Sequence, residues 1–125
     1  MRENQVSDKI IGAAIEVHRE LGPGLLENTY ETCLAHEMTL RGIPFERQME
    51  INVNYKGVEL DCGFRVDLFV DDLVIVELKA VEILAPIHTA QVLTYLKLTG
   101  CKLGLLLNFN TTLLKDGIKR VALDL

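Results

Sequence analysis

The chain has 125 residues, of which 49% are hydrophobic and 25% charged, with 13 Lys and Arg against 18 Asp and Glu, a formal net charge of −5. This is the composition of one globular domain, able to bury roughly two-thirds of its unfolded surface, and it excludes a disordered or low-complexity chain. The acidic balance counts against tight non-specific nucleic-acid binding, although carboxylates gathered to hold a metal add to the same negative count.

The three cysteines, Cys33, Cys62 and Cys101, are odd in number and far apart, with no CxxC pair. That spacing argues against a disulfide framework or a zinc knuckle and predicts reduced, buried thiols in a cytoplasmic protein. The polar start Met1-Arg2-Glu3-Asn4-Gln5 carries no signal-peptide pattern, and the apolar stretch from Leu103 to Leu107 is far short of a membrane span. The expectation is a soluble protein with no membrane partner.

From Ser7 to Leu21, Ile10, Ala14, Val17 and Leu21 recur at helical spacing, and Gly22-Pro23-Gly24 stops the helix. A second helix is predicted from about Leu25 to Arg41, with Leu26, Tyr30, Leu34 and Met38 on one face and Gly42 at its end. The period then changes. Phe45 to Tyr55 alternates, Lys56-Gly57 is a turn, and Val58 to Val70 and Val74 to Val81 read as strands around Asp71-Asp72. Pro86 opens a third helix that runs to Leu98, and Gly100 closes it. Lys102 to Phe109 is an apolar run typical of a strand covered on both faces. A loop or helical turn around Asn110 to Asp116 and a short strand from Ile118 to Leu123 complete the order α-α-β-β-β-α-β-β. The prediction is a single α/β domain over residues 1–125, without linker or internal repeat.

The hairpin around Asp71-Asp72 carries the chemistry. Val66, Leu68 and Val70 alternate with Arg65, Asp67 and Phe69; Val74, Val76 and Leu78 alternate with Ile75, Glu77 and Lys79. Placing both apolar sets on one face pairs Val66 with Leu78, Leu68 with Val76 and Val70 with Val74. The same register sets Asp67 opposite Glu77, and Arg65 opposite Lys79. Two carboxylates so placed lie roughly 5 Å apart at Cβ and repel each other, a difficulty that a divalent cation removes. Period two returns the Lys79 ammonium to the carboxylate face, where it could orient an attacking water or offset charge on a phosphorane-like transition state. An E-x-K spacing alone is common on exposed strands; the Asp67 partnership gives it weight.

Gly24-Leu25-Leu26-Glu27-Asn28-Thr29-Tyr30 matches the GxxExxY signature of a group of small proteins in the PD-(D/E)XK nuclease superfamily. The resemblance continues through Tyr55-Lys56-Gly57, Arg65-Val66-Asp67, Val76-Glu77-Leu78-Lys79, His88 to Tyr95 and Leu106-Leu107-Asn108-Phe109. It implies a restriction-endonuclease-like mixed sheet flanked by helices, and metal-dependent phosphodiester cleavage with Mg²⁺, or Mn²⁺ as its substitute. Glu27 then matches the early helical acid, Asp67 the central aspartate, Glu77 and Lys79 the E-x-K pair, and Gln91 and Tyr95 a Q-xxx-Y helix. Val66 stands where the superfamily's name has proline.

The resemblance implies metal binding by Glu27, Asp67 and Glu77 and catalysis by Asp67, Glu77, Lys79 and Gln91; Arg65 (on the strand face of Asp67), Tyr95 and Tyr30 are weaker candidates for substrate contact. Glu27 also lies in a first helical turn, where an acid is favoured in any case. Tyr30 reads as a packing residue with a bonded hydroxyl before it reads as a catalyst. Gln91 would steady the attacking water or Lys79, Tyr95 would meet substrate backbone or a base, and His88 reads as a helper or surface group. The expected partner is nucleic acid, DNA before RNA, and a homodimer would give so small an acidic domain more grip on a duplex. The alternative is a catalytically silent module that keeps the nuclease fold within a larger complex.

Overall fold

The computed structural model describes residues 2–125. Helix α1 (Arg2–Leu21) begins at Arg2 rather than at Ser7, because Glu3 suits the positive end of the helix dipole and Val6 is already buried. Helix α2 (Glu27–Leu40) follows, then strands β1 (Phe45–Tyr55), β2 (Val58–Val70) and β3 (Val74–Lys79). Helix α3 (Pro86–Thr99), strand β4 (Leu103–Asn108), a 3₁₀ turn (Leu114–Gly117) and strand β5 (Ile118–Ala122) complete the chain. The predicted element order is the observed one, and the fold is mixed α/β.

The strands form one sheet in the order β1-β2-β3-β4-β5. Two tight hairpins make β1–β2–β3 antiparallel, and each turn uses left-handed backbone: Lys56 and Gly57 at φ 51° and 84°, Asp71 and Asp72 at 52° and 55°. Strand β4 lies parallel to β3, which requires the crossover that α3 provides, and β5 returns antiparallel.

Each sheet face is covered. On one, Ile10, Ala14, Tyr30, Leu34 and Met38 from α1 and α2 pack on Leu68, Val74, Val76, Leu78, Leu105 and Leu107. On the other, Val92, Tyr95 and Leu96 from α3 pack on Ile51, Val66, Ile75 and Leu106. All of β4 is buried, as an apolar run between two layers requires. A Cβ on Gly104 would stand 2.5 Å from Val92 Cγ1, so glycine is what lets α3 lie this close to β4.

The predicted hairpin register is only partly realised. Leu68 pairs with Val76, and Val70 with Val74, but the ladder between β2 and β3 ends at Leu68. Val66 is not opposite Leu78 on the α1/α2 face; it packs beneath α3. Arg65 pairs with Glu50 on β1 and not with Lys79. The reason lies in β1. Phe45 packs on the α1/α2 side, whereas Met49 and Ile51 pack on the α3 side. Odd positions therefore change faces between them, at Gln48, whose φ is +52°. The β1–β2 register places Gln48 beside Asp67, since Arg47 pairs with Leu68 and Met49 with Val66. Both strands turn over at that point, and the acids lie where the sheet splits.

The prediction of buried thiols is also corrected. Cys62 is exposed on the outer part of β2, and Cys33 and Cys101 are half-buried; all three are free. The outer hairpin projects beyond the helices that cover the rest of the sheet, so its side chains stay in solvent.

Candidate active site

Strand β3 alternates strictly. Val74, Val76 and Leu78 face α1 and α2, while Ile75 faces α3. Glu77 and Lys79 share the parity of Ile75 and so belong to the α3 side. Where the ladder with β2 stops, carboxylates replace backbone carbonyls as acceptors. The Asp67 N–H donates to Glu77 Oε1 at 3.2 Å, and the Leu78 N–H donates to Asp67 Oδ2 at 2.9 Å. The two acids predicted to confront each other do meet, through bonds that each makes to the other's strand.

Glu77 is 6% exposed. Burial, and then the Asp67 charge beside it, push its carboxyl up to about 9, and the Lys79 ammonium opposes this only weakly. At neutral pH, with nothing bound, the pair therefore holds a proton on Glu77. Lys79 is half-buried at the end of β3, and no carboxylate lies within ion-pair distance of its ammonium among the described residues. Asn108, opposite Lys79 on β4, accepts the Val81 N–H at 3.1 Å and donates to the Val81 carbonyl at 2.9 Å. That clasp fixes the chain leaving Lys79.

A second group reaches the site from α2. Glu31, 6% exposed, receives Nε and Nη2 of Arg47 on one oxygen, at 3.0 and 2.8 Å. Its other oxygen accepts Gln48 Nε2 at 2.7 Å, and the same nitrogen donates to Asp67 Oδ1 at 3.2 Å. Neither Glu31 nor Gln48 was singled out for a role by the sequence. One signal was present for Gln48: along Phe45, Arg47, Met49, Ile51, Val53 and Tyr55, Arg47 alone breaks the apolar alternation. Glu27 opens α2, is exposed, and makes no side-chain hydrogen bond or ion pair among the described residues. The acid of α2 that the structure joins to Asp67 is Glu31, one helical turn later.

From α3, Tyr95 is buried, and its phenol is pushed up by burial and by the charges of Glu77 and Asp67, with the adjacent Gln91 opposing. Tyr95 and Gln91 thus stand on the carboxylate side of the sheet. Both line a groove of about 460 Å³ together with Phe64, Ile87, Thr94 and Leu98. His88 Nδ1 accepts the Ala85 N–H at 3.0 Å, which makes it a cap for α3. Arg65 is held by Glu50 at 2.9 Å, both side chains in solvent. Tyr30 is fully buried, stacked on Phe109 at 4.5 Å; its hydroxyl donates to the Gly22 carbonyl and accepts the Leu25 N–H. That burial gives Tyr30 a packing role.

Among the described residues no three His, Cys, Asp or Glu side chains converge as a metal-binding group. The donor chemistry nevertheless suits a hard divalent cation. Mg²⁺ is commonly held by one or two carboxylates, with water and substrate phosphate supplying the rest. A carboxylate pair with Glu77 buried and Asp67 half-buried, whose second charge is strongly disfavoured, is the environment such an ion stabilises.

A family model of the PD-(D/E)XK nuclease superfamily matches residues 4–121, and the chain belongs to that superfamily. Its mixed five-stranded sheet and three helices accord with the restriction-endonuclease-like fold, and proteins of this class usually use divalent metals. No curated protein and no solved structure matches the chain significantly.

Proposed function

We propose that the chain is a nuclease of the GxxExxY group that uses Mg²⁺ or Mn²⁺ to hydrolyse phosphodiester bonds in DNA, with residues 1–125 acting as one domain. The observation that carries this reading is the contact of Asp67 with Glu77, with Lys79 two positions after Glu77 on β3 and without an ion-pair partner among the described residues. Asp67 and Glu77 would hold the cation, with Glu27 the further ligand that the signature suggests. When bound, the ion supplies Lewis-acid polarisation of the phosphate and a more acidic water. The chain's own groups do the rest. Glu77 would hold the ion as a carboxylate, its proton passing to solvent, and Lys79 would orient the nucleophile or offset charge on the phosphate oxygens. Gln91 steadies Lys79 or the water, while Tyr95 and Arg65 meet the substrate strand.

The free thiols favour a reducing, cytoplasmic setting. A homodimer belongs to the same reading, since one acidic copy offers few cations to a duplex. The second reading is a silent module within a larger nucleic-acid complex, and it rests on the net charge of −5. The experiment incubates pure protein with single-stranded DNA, duplex DNA and RNA, in Mg²⁺, Mn²⁺ or chelator. Cleavage that requires the metal and is lost in Asp67→Ala and Lys79→Ala supports the nuclease. Absence of metal-dependent cleavage of every substrate, or activity surviving those substitutions, favours the module.

A further inference from the structure

Gln48 is a residue for which neither composition nor burial accounts. It sits in β1 at φ +52°, a left-handed conformation that is strained for a non-glycine residue. It is exposed, so packing does not hold it there. The strain persists because of what the side chain reaches: Glu31 Oε1 at 2.7 Å and Asp67 Oδ1 at 3.2 Å, both through Nε2. Facing two carboxylates, only the donor end of the amide can make these bonds, so the orientation of the side chain is settled.

Each link in the chain of contacts is fixed by the next. Arg47 anchors one oxygen of Glu31, Glu31 anchors Gln48, and Gln48 holds one oxygen of Asp67. The other oxygen of Asp67 takes the Leu78 N–H. Both Asp67 oxygens are thereby oriented, from a helix on one side and from β3 on the other. The left-handed turn at Gln48 is also where β1 and β2 change faces, so one backbone feature creates the split in the sheet and aims the amide into it.

We propose that Gln48 is a positioning residue for the metal site, which sets divalent-cation affinity by fixing the Asp67 carboxylate without touching metal or substrate. The inference rests on the reading that Asp67 is a metal ligand. Residues that orient ligands from behind typically change metal affinity by about 10–100-fold when removed. Gln48→Asn accepts the left-handed backbone but lacks the reach, and Gln48→Gly removes the strain and the amide together.

The test measures Mn²⁺ affinity of the full chain by electron paramagnetic resonance, with the thermal midpoint recorded for each variant. Ile51→Ala, a buried change farther along β1, controls for general loosening. The expected result is about 10–100-fold weaker Mn²⁺ binding in both Gln48 variants, with Ile51→Ala binding like the wild type despite a lower midpoint. Should Gln48→Asn fail to fold, Gln48→Gly decides. Affinity within twofold of wild type in a folded Gln48 variant overturns the proposal, as does an equal loss in Ile51→Ala. A wild-type chain that binds no Mn²⁺ removes Asp67 as a ligand, and the proposal falls with that broader reading.

Discussion

Asp67 and Glu77 are joined by a hydrogen bond from the backbone of the first to the carboxylate of the second, 3.2 Å long, at the point where their strands stop pairing. A β-ladder normally satisfies such an N–H with a carbonyl. Here two acidic side chains take that place, and so a buried and a half-buried carboxyl group are held together with no ion-pair partner for either among the described residues.

The pair makes stability depend on pH. Glu77 titrates from 4.5 in the unfolded chain to about 9 in the folded one, so the folded state binds the extra proton between those values. Stability therefore falls as pH rises through that window in chelator. Thermal melts at pH 5, 7 and 9 should show the midpoint dropping, and Mn²⁺ should offset the drop most at high pH. A midpoint that is flat, or rises with pH, contradicts the assignment of the proton.

Glu77→Gln keeps the shape and removes the ionisation. Above pH 4.5 the wild-type chain gains by ionising Glu77 on unfolding, and the variant does not. In chelator at pH 8 it should be more stable than wild type by about 1 kcal/mol or more, as expected when functional strain is relieved. On the proposed metal role of Glu77, cleavage should drop by about 100-fold, the upper end of losing a residue that supports a bound metal. Chemical denaturation and a nuclease assay on one preparation read both.

Glu27 and Glu31, both on α2, separate stability from activity. Glu31→Gln weakens the paired bonds from Arg47 and should cost about 1.5–3 kcal/mol. Glu27→Gln, at an exposed position, should stay within ~0.5 kcal/mol of wild type. If Glu27 contributes to metal binding, as the signature suggests, that variant alone will lose Mn²⁺ affinity without losing stability. Calorimetry on the two variants tells them apart.

The two tyrosines should behave oppositely. Tyr30→Phe removes a buried hydroxyl that bonds Gly22 and Leu25, and should destabilise by about 1–3 kcal/mol while cleavage at 20 °C persists. Tyr95→Phe should leave the midpoint nearly unchanged and weaken binding of single-stranded DNA or its cleavage. Paired melting curves and fluorescence-anisotropy titrations with a labelled oligonucleotide check both halves.

Much of the site was legible because β3 obeys a rule that depends only on neighbours. Period two puts Glu77 and Lys79 on one side whatever lies elsewhere, and the apolar run of β4 announces its two-sided cover. The Asp67 half of the pair is legible only in part. Alternation through Val66 treats β2 as unbroken, and so gives the observed register for Leu68 and Val70 but not for Val66 and Arg65. Arg47 breaks the apolar alternation of β1 and so marks an irregularity there, but residue types alone do not show that Gln48 adopts positive φ and reverses the faces.

What the chain determined by itself was therefore the set of elements, their order, and the E-x-K strand, since helix period, strand period and turn chemistry are local. Only the tertiary structure decided which acid of α2 approaches Asp67, and that Tyr30 is sealed in the core. It also decided that Gln48 stands between Glu31 and Asp67. Those outcomes depend on contacts between residues far apart in sequence, and on a backbone conformation tolerated because those contacts hold it.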